Sequence, residues 1–155
     1  MEETEYRMNA KYLNPKTLSA PPGGMYSHVV RVRAGEQLFI SGQVARDQLG
    51  KLVGEGDVVA QYRQVWANVG FALAAVGLRH EHLVKTNTYV VGETNIPAIR
   101  AVRKELAPPR APTSTMLVVP ALAIAGALVE VEGVAVFPEK ARKKPARKKR
   151  VVRKK

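Results

Sequence analysis

The chain has 155 residues, of which 46% are apolar and 25% charged, proportions typical of one globular domain. It contains no cysteine, so a disulfide scaffold, a thiolate metal site and a cysteine nucleophile are excluded. Its longest uncharged apolar run, residues 116–129, is shorter than a membrane span, and the N-terminus shows no signal-peptide pattern. We therefore expect a soluble, cytoplasmic protein that makes no contact with a membrane.

The net charge of +12 is concentrated at the C-terminus. Residues 138–155 contain eleven Lys or Arg and a single acid, Glu139, whereas residues 1–137 are nearly neutral. Dense like charge with few apolar residues to bury predicts a disordered tail. Two interpretations of this tail stay open: it is a solubilising appendage, or it binds nucleic acid nonspecifically through residues 140–155 with a steep dependence on salt.

The first part of the body is predicted to be irregular at residues 1–24, because a Pro-Pro-Gly-Gly cluster ends this segment. Two strands are predicted next, over residues 25–33 and 37–41, from their alternating or continuous apolar residues. We expect residues 34–36 to join these strands as a hairpin. The domain proper is therefore expected to span residues 25–137.

Two helices and three strands follow in the apolar pattern. The helices are predicted over 57–76 and 95–107, and the strands over 82–91, 115–121 and 128–137. Asp57 is suited to cap the first helix, and Gly77 suits the left-handed position after its end. Pro97 fits the first turn of the second helix.

The element order β-β-α-β-α-β-β indicates an α+β fold with two helices packed on one face of a sheet. Residues 116–119 are apolar without alternation, which is typical of a strand that is covered on both faces. Because the two helices cover only one face, we expect another copy of the chain to cover the other.

Two acids in the last predicted strand are candidates for chemistry. Glu130 and Glu132 lie on the same face because side chains alternate along a strand. They form either a solvent-facing surface or a cleft in which a carboxylate positions water or accepts a proton. Arg110, Thr113 and Thr115 enter the preceding strand and are expected to bring a cation and hydroxyl groups near this carboxylate.

Histidine and serine residues offer little further chemistry. His80 and His82 are two residues apart and lack the spacing of a metal site, so we interpret them as solvent-facing loop residues. Ser41 is not surrounded by the Gly-x-Ser-x-Gly pattern of a nucleophile elbow. Neither a metal centre nor a serine nucleophile is predicted.

Four segments, in the right order and spacing within residues 25–137, together resemble the RidA/YjgF family, which older descriptions call endoribonuclease L-PSP. They are LFISGQV (38–44), QVWANV (64–69), VKTNTYV (84–90) and VEVEGVA (129–135). The resemblance implies a chorismate-mutase-like α+β unit that assembles as a homotrimer with ligand clefts between its subunits. The basic tail and residues 1–24 lie outside it.

The resemblance also implies an activity. Active family members hydrolyse reactive enamines and imines, such as 2-aminoacrylate, to a keto acid and ammonia without a metal or an organic cofactor. By the same resemblance, Glu130 positions the attacking water, Tyr26 contributes to the cleft, and Ser41 and Gly42 match the family's Ser-Gly pair.

One position departs from the family pattern. The resemblance places Thr113 where the family has the arginine that holds the substrate carboxylate, and threonine cannot form such a bidentate clamp. The chain therefore resembles an arginine-lacking branch, with Arg110, three residues earlier, as a candidate replacement. We expect deamination of a reactive enamine or imine, and the absence of the arginine leaves open whether 2-aminoacrylate is a substrate. The alternative is a non-catalytic trimer that binds a small metabolite in the same clefts. Thr115 is a further candidate binding residue there.

Overall fold

The computed structural model of the chain describes residues 6–7, 10–33 and 35–140. Eight strands and two helices form along this part of the chain, with three short 3-10 turns between them. In chain order they are β1 (Tyr6–Arg7), β2 (Ala10–Leu13), β3 (Val29–Val32), β4 (Gln37–Gln43), α1 (Val58–Ala74), β5 (Leu83–Val91), α2 (Ile96–Leu106), β6 (Thr113–Val119), β7 (Val129–Val136) and β8 (Glu139–Lys140).

The main sheet has four strands in the order β4-β7-β5-β6. Only β5 and β6 run parallel, and a parallel pair needs a long crossover, which α2 provides. The register places Tyr89 of β5 beside Glu130 of β7 on one side and beside Leu117 of β6 on the other. These three side chains therefore form one row on the same face of the sheet.

Both helices pack on the opposite face and enclose the core. Its fully buried members include Val65 and Leu73 of α1, Ile99 of α2 and Val129 of β7. Burying each of these side chains contributes about 1.5–3 kcal/mol to folding. The predicted α+β arrangement of two helices on one sheet face is confirmed. Of the helices in the described residues, neither is both long enough and apolar enough to cross a bilayer.

The ends of α1 follow the local sequence signals. One carboxylate oxygen of Asp57 accepts hydrogen bonds from the backbone N–H groups of Val59 (2.9 Å) and Ala60 (3.0 Å). After the helix, Gly77 takes a φ of 76°, the left-handed conformation that a side chain would disfavour. The predicted N-cap and the predicted glycine after the helix are both confirmed.

The N-terminal part differs from the sequence expectation. Residues 1–24 were expected to be irregular, which is wrong for Ala10–Leu13, because this segment pairs antiparallel with β3. The expected hairpin between β3 and β4 is also wrong, since β4 pairs with β7 in the main sheet. Both differences have the same cause: a four-residue, half-exposed strand acquires its partner through tertiary structure, which local patterning does not encode.

The structure has a strand beyond the predicted end of the domain. Residues 139–140 form β8, which pairs antiparallel with β1 at Tyr6–Arg7, so β structure continues past the predicted boundary at residue 137. Residues 141–155 lie outside the described part of the chain. Disorder and nucleic-acid binding there stay predictions.

The face of the main sheet away from the helices is open in the single chain. Phe39 of β4 is 74% exposed on this face, and Leu117 of β6 is 51% exposed. On the other side of β6, which is an edge strand, Val118 is 49% exposed. The described chain therefore does not by itself cover residues 116–119 on both faces, and their covering by another copy stays a prediction.

Candidate active site

Glu130 and Gly42 come together where β4 is irregular. The pairing of β4 with β7 shifts register between Ile40 and Gln43, and Ser41 and Gly42 lie within this shift. A Cβ atom built on Gly42 would overlap Oε1 of Glu130 and lie 2.7 Å from its carboxylate carbon. The Glu130 side chain therefore lies against the Gly42 backbone. Gly42 has no left-handed φ, so the position needs glycine for space rather than for backbone conformation.

The neighbouring acid, Glu132, is held by two side-chain hydrogen bonds. Glu132 accepts hydrogen bonds from Asn87 Nδ2 (2.6 Å) and from the Tyr89 hydroxyl (3.1 Å). The hydrogen bond to Glu132 raises the pKa of Tyr89, and desolvation and the nearby carboxylate charges add to this increase. No corresponding side-chain hydrogen bond holds the half-buried Glu130 within the described residues. Its carboxylate oxygens are therefore available to water or to a ligand.

A second group of predicted residues lies at the other edge of the sheet. Ser27 fixes the segment before β3 next to β6, since its N–H donates to the Pro112 carbonyl (3.0 Å) and its hydroxyl to the Ala111 carbonyl (2.8 Å). This contact brings Tyr26 into a cleft of about 400 Å³ that Thr115 also lines. Tyr26 also packs edge-on against His28, with 5.4 Å between the ring centres.

The hydroxyl of Thr113 is already used in a hydrogen bond to the backbone. Its Oγ1 donates to the Val84 carbonyl at 3.0 Å and so helps to join β6 to β5. The hydroxyl of Thr115 is more accessible, and its oxygen accepts from the Lys85 ammonium at 3.1 Å. On this edge strand, Thr115 is the predicted hydroxyl residue that remains exposed.

Arg110 lies away from Glu130. Leu117 is the β6 residue in the row of Glu130, and Arg110 precedes the start of β6 at Thr113, at the far end of that strand. Burial raises the pKa of Tyr12, and the charge of Arg110 opposes this increase, which places Arg110 near β2. Within one chain, Arg110 therefore does not provide the cation expected near Glu130.

The predicted residues thus form two half-sites. The first contains Glu130, Ser41 and Gly42, and the second contains Tyr26 and Thr115. Because β5 separates β7 from β6, the backbones that carry the two half-sites are about 10 Å apart. Within one chain, the two half-sites are therefore carried by strands that are not neighbours.

Sequence reasoning missed two arginines at the second half-site. Arg100 and Arg103 of α2 line the same cleft as Tyr26 and Thr115. Nη2 of Arg103 donates to the Met25 carbonyl at 3.0 Å, and burial lowers the pKa of this guanidinium. Their spacing of three residues, which aligns side chains on one side of a helix, was the available signal. From the sequence alone, this spacing indicates only the polar face of an amphipathic helix.

The two histidines are not solvent-facing, which corrects the sequence interpretation. The His80 ring stacks on Trp66 with 4.6 Å between ring centres, and its Nε2 lies 2.9 Å from the Trp66 carbonyl. His82 is buried. The 3-10 turn that contains them packs against α1, a contact that local sequence does not reveal. Across the part of the chain that the structure describes, no group of three or more His, Cys, Asp or Glu is placed to hold a metal ion.

Comparison with known proteins identifies the family. Residues 17–137 match the family model described as Endoribonuclease L-PSP. Protein DfrA of Myxococcus xanthus is 33% identical over 116 residues, which cover 73% of this chain and 86% of that protein. The chain belongs to the RidA/YjgF family. The match begins at residue 17, eight residues before the predicted start of the domain at residue 25.

Two further relatives extend this result. The 2-iminobutanoate/2-iminopropanoate deaminase of Mus musculus is 31% identical over 121 residues, which cover 77% of this chain and 87% of that protein. YyfB of Yersinia pestis, a Rid-family protein of unknown function, has a solved structure that superposes with a TM-score of 0.76 at 35% identity, over 84% of this chain and 100% of that one. The RidA/YjgF family thus includes imine deaminases, and the predicted family and chorismate-mutase-like fold are confirmed.

Proposed function

We propose that the chain hydrolyses a reactive enamine or imine to a carbonyl compound and ammonia, with Glu130 as the catalytic carboxylate. The carrying observation is the contact between Glu130 and Gly42, in which the glycine leaves space for the carboxylate on the open face of the sheet. Family membership supports the reaction class, because the mouse relative is an imine deaminase.

The chemistry needs one proton acceptor that later returns the proton. Glu130 accepts a proton from water as the water oxygen bonds to the imine carbon and the C=N electron pair moves to nitrogen. Return of this proton to that nitrogen gives a carbinolamine. Transfer of the carbinolamine hydroxyl proton to the same nitrogen then lets the C–N bond break, so that ammonia leaves and the carbonyl forms. An enamine first takes up a proton at carbon to become the imine. The sum consumes one water, and neither a metal nor an organic cofactor enters this scheme.

The division of the site supports assembly as a homotrimer with clefts between subunits. Glu130 and Gly42 of one copy would meet Tyr26 and Thr115 of the next, which completes a cleft that one chain leaves in two parts. The exposed Phe39 on the open face provides apolar area for this contact. We therefore propose a second copy of the chain as the covering partner.

The experiment that tests the function uses the purified full chain and short imines generated in situ. We expect faster release of ammonia and carbonyl product than in buffer, and loss of this acceleration in Glu130→Gln. Full activity of Glu130→Gln would contradict the assignment.

A second candidate is a non-catalytic trimer that binds a small metabolite, which is favoured by Thr113, whose hydroxyl is used by the Val84 carbonyl. This candidate predicts no acceleration with any imine, together with a rise in melting temperature with a ligand. A ligand at 100 times its Kd adds about 2.7 kcal/mol to the free energy of unfolding. A panel of small oxo and amino acids, measured by thermal shift, separates the two functions.

The basic tail carries an independent proposal of nonspecific nucleic-acid binding, supported by the eleven basic residues within 138–155. A chain ending at Lys140 keeps β8 and removes most of these charges. We expect the full chain to shift DNA and RNA in gels with steep salt dependence and the shortened chain to lose this shift. Equal shifts for both chains would contradict the proposal.

A further inference from the structure

The cleft beside β6 combines a suitable size with positive charge. Its volume is about 400 Å³, within the range of pockets that hold small molecules. Arg100 and Arg103 line it together with Tyr26 and Thr115. No acidic side chain of the described residues lines it.

The two arginines have no acidic partner within the described residues. On the same helix, Glu105 forms its salt bridge with Arg63 on α1. Within the described chain, no carboxylate lies within salt-bridge distance of Arg100 or Arg103. A guanidinium carries five N–H donors, and the Met25 carbonyl uses a single nitrogen of Arg103. Both side chains therefore retain donors for an anion.

The position of Arg103 is fixed, which favours binding of a planar anion. Its hydrogen bond to Met25 holds the guanidinium at 3.0 Å, and the side chain is half-buried. A fixed, partly desolvated guanidinium loses little conformational freedom when it binds a carboxylate through two parallel hydrogen bonds.

Thr115, which also lines the cleft, adds a hydroxyl donor. Because Thr115 Oγ1 accepts from the Lys85 ammonium, its own proton is free to be donated away from Lys85. The positive charge of Lys85 also makes this hydroxyl a stronger donor. The cleft thus offers both guanidinium and hydroxyl donors.

We infer that Arg100 and Arg103 form a subsite for the carboxylate of a short 2-imino acid, in place of the cation that Thr113 lacks. This inference rests on the proposed deaminase function and specifies its substrate class: an imine that carries a carboxylate rather than a neutral imine. The anchor comes from α2 rather than from β6, and the reacting carbon extends toward the Glu130 half-site of a second copy.

The test measures binding separately from turnover. The probe is 2-oxobutanoate, a 2-oxo acid of the product class, and butanone is its neutral counterpart without the carboxylate. We use calorimetric titration of the full chain and of Arg100→Gln, which removes an exposed side chain, and Arg103→Lys, which keeps the charge but not the planar fork. Lys104→Gln removes a neighbouring exposed charge of the same helix and serves as the matched control.

We expect each arginine variant to raise the Kd of 2-oxobutanoate about tenfold or more, as loss of a charge-assisted hydrogen bond requires. Lys104→Gln should leave that Kd unchanged. The affinity for butanone should be the same in every variant and in the unmodified chain. KM for the matching imino acid should rise with the Kd. If Arg103→Lys lowers the melting temperature, the Kd of 2-oxobutanoate for Arg100→Gln alone tests the subsite.

The outcomes separate this inference from the proposed function. Unchanged 2-oxobutanoate affinity in the Arg100 and Arg103 variants, in a chain whose turnover is lost in Glu130→Gln, overturns the subsite and leaves the deaminase. Equal weakening in Lys104→Gln also overturns it, because general surface charge then explains the binding. Arginine-dependent binding without turnover of any imine supports the subsite and overturns the deaminase.

Discussion

The carboxylate of Glu130 occupies the space in which a side chain on residue 42 would begin. The two residues lie on adjacent strands, where the pairing of β4 and β7 is irregular. The position of the Glu130 carboxylate therefore depends on residue 42 having no side chain.

Gly42→Ala should therefore displace Glu130 without unfolding the chain. Gly42 has no left-handed φ, so alanine adds no backbone strain and acts through its Cβ alone. We expect kcat/KM for imine hydrolysis to fall about 100-fold or more, on the scale of losing a positioned acid–base group. Steady-state kinetics measure this fall. In a Glu130→Gln background the same change should have little further effect, and additive losses would disprove the coupling.

Glu130 and Glu132 should differ sharply in their effects on turnover. Glu130→Gln should remove about 10²–10⁴-fold of the rate, the usual contribution of a general acid–base group. Glu132→Gln serves as the matched control on the same strand face. Its amide oxygen still accepts from Asn87 and Tyr89, so we expect the rate to stay within about tenfold, since neutral hydrogen bonds replace the two charge-assisted ones. Comparable losses in both variants would contradict the assignment.

Tyr89 should titrate above its ordinary pKa in the folded chain. The hydrogen bond to Glu132 is the largest cause, because the neutral phenol donates to the carboxylate. Glu132→Gln should lower the pKa of Tyr89 toward the usual value of about 10. Since the folded pKa is the higher one, this contact stabilises the fold below the unfolded pKa and is lost as pH rises through the folded pKa. Carbon-13 NMR of labelled tyrosine measures the titration, and an unchanged pKa in Glu132→Gln would refute its cause.

Gln61 should be a major contributor to stability. It is fully buried, donates to the carbonyls of Gly54 (3.1 Å) and Gly126 (2.9 Å), and accepts from the Leu128 N–H (2.7 Å). Gln61→Leu loses all three hydrogen bonds and should lower the free energy of unfolding by about 2–4 kcal/mol. Urea unfolding at fixed protein concentration measures this loss. Gln64→Leu, at a half-exposed position of the same helix, should cost less than about 1 kcal/mol.

Phe39 should hold copies of the chain together. It is 74% exposed on the open sheet face, and Phe39→Glu would place a charge in the proposed contact. We expect the trimer to dissociate, as measured by light scattering after size-exclusion chromatography. Leu49→Glu is the control, because Leu49 is 88% exposed in a turn outside the sheet and should leave the mass unchanged. A monomeric unmodified chain would end the trimer proposal.

The parts of the fold that sequence predicted are those set by local interactions. Asp57 caps α1 with its own side chain, and Gly77 meets a backbone requirement at its own position, so each signal is readable in place. The pairing of β2 with β3 was missed because a short strand depends on its distant partner. Arg103 was missed for the same reason: the Met25 carbonyl that fixes it is brought there by folding.

Residues of the candidate site could be proposed from sequence where the family pattern was specific. Glu130 and Gly42 were identified from separate segments, and the structure brings them together. Arg110 was a weaker choice, because a position three residues before Thr113 lies beyond the end of β6. Strand register, which depends on the whole sheet, decided this point.

The antiparallel ribbon of β1 and β8 joins the two ends of the described chain. A purification tag fused close to Tyr6 would therefore sit beside the origin of the lysine- and arginine-rich extension, and an acidic tag there would attract it. Removing the first seven residues would likewise free Glu139–Lys140 from its strand partner. Expression vectors for this protein should accordingly carry long neutral spacers before any fusion.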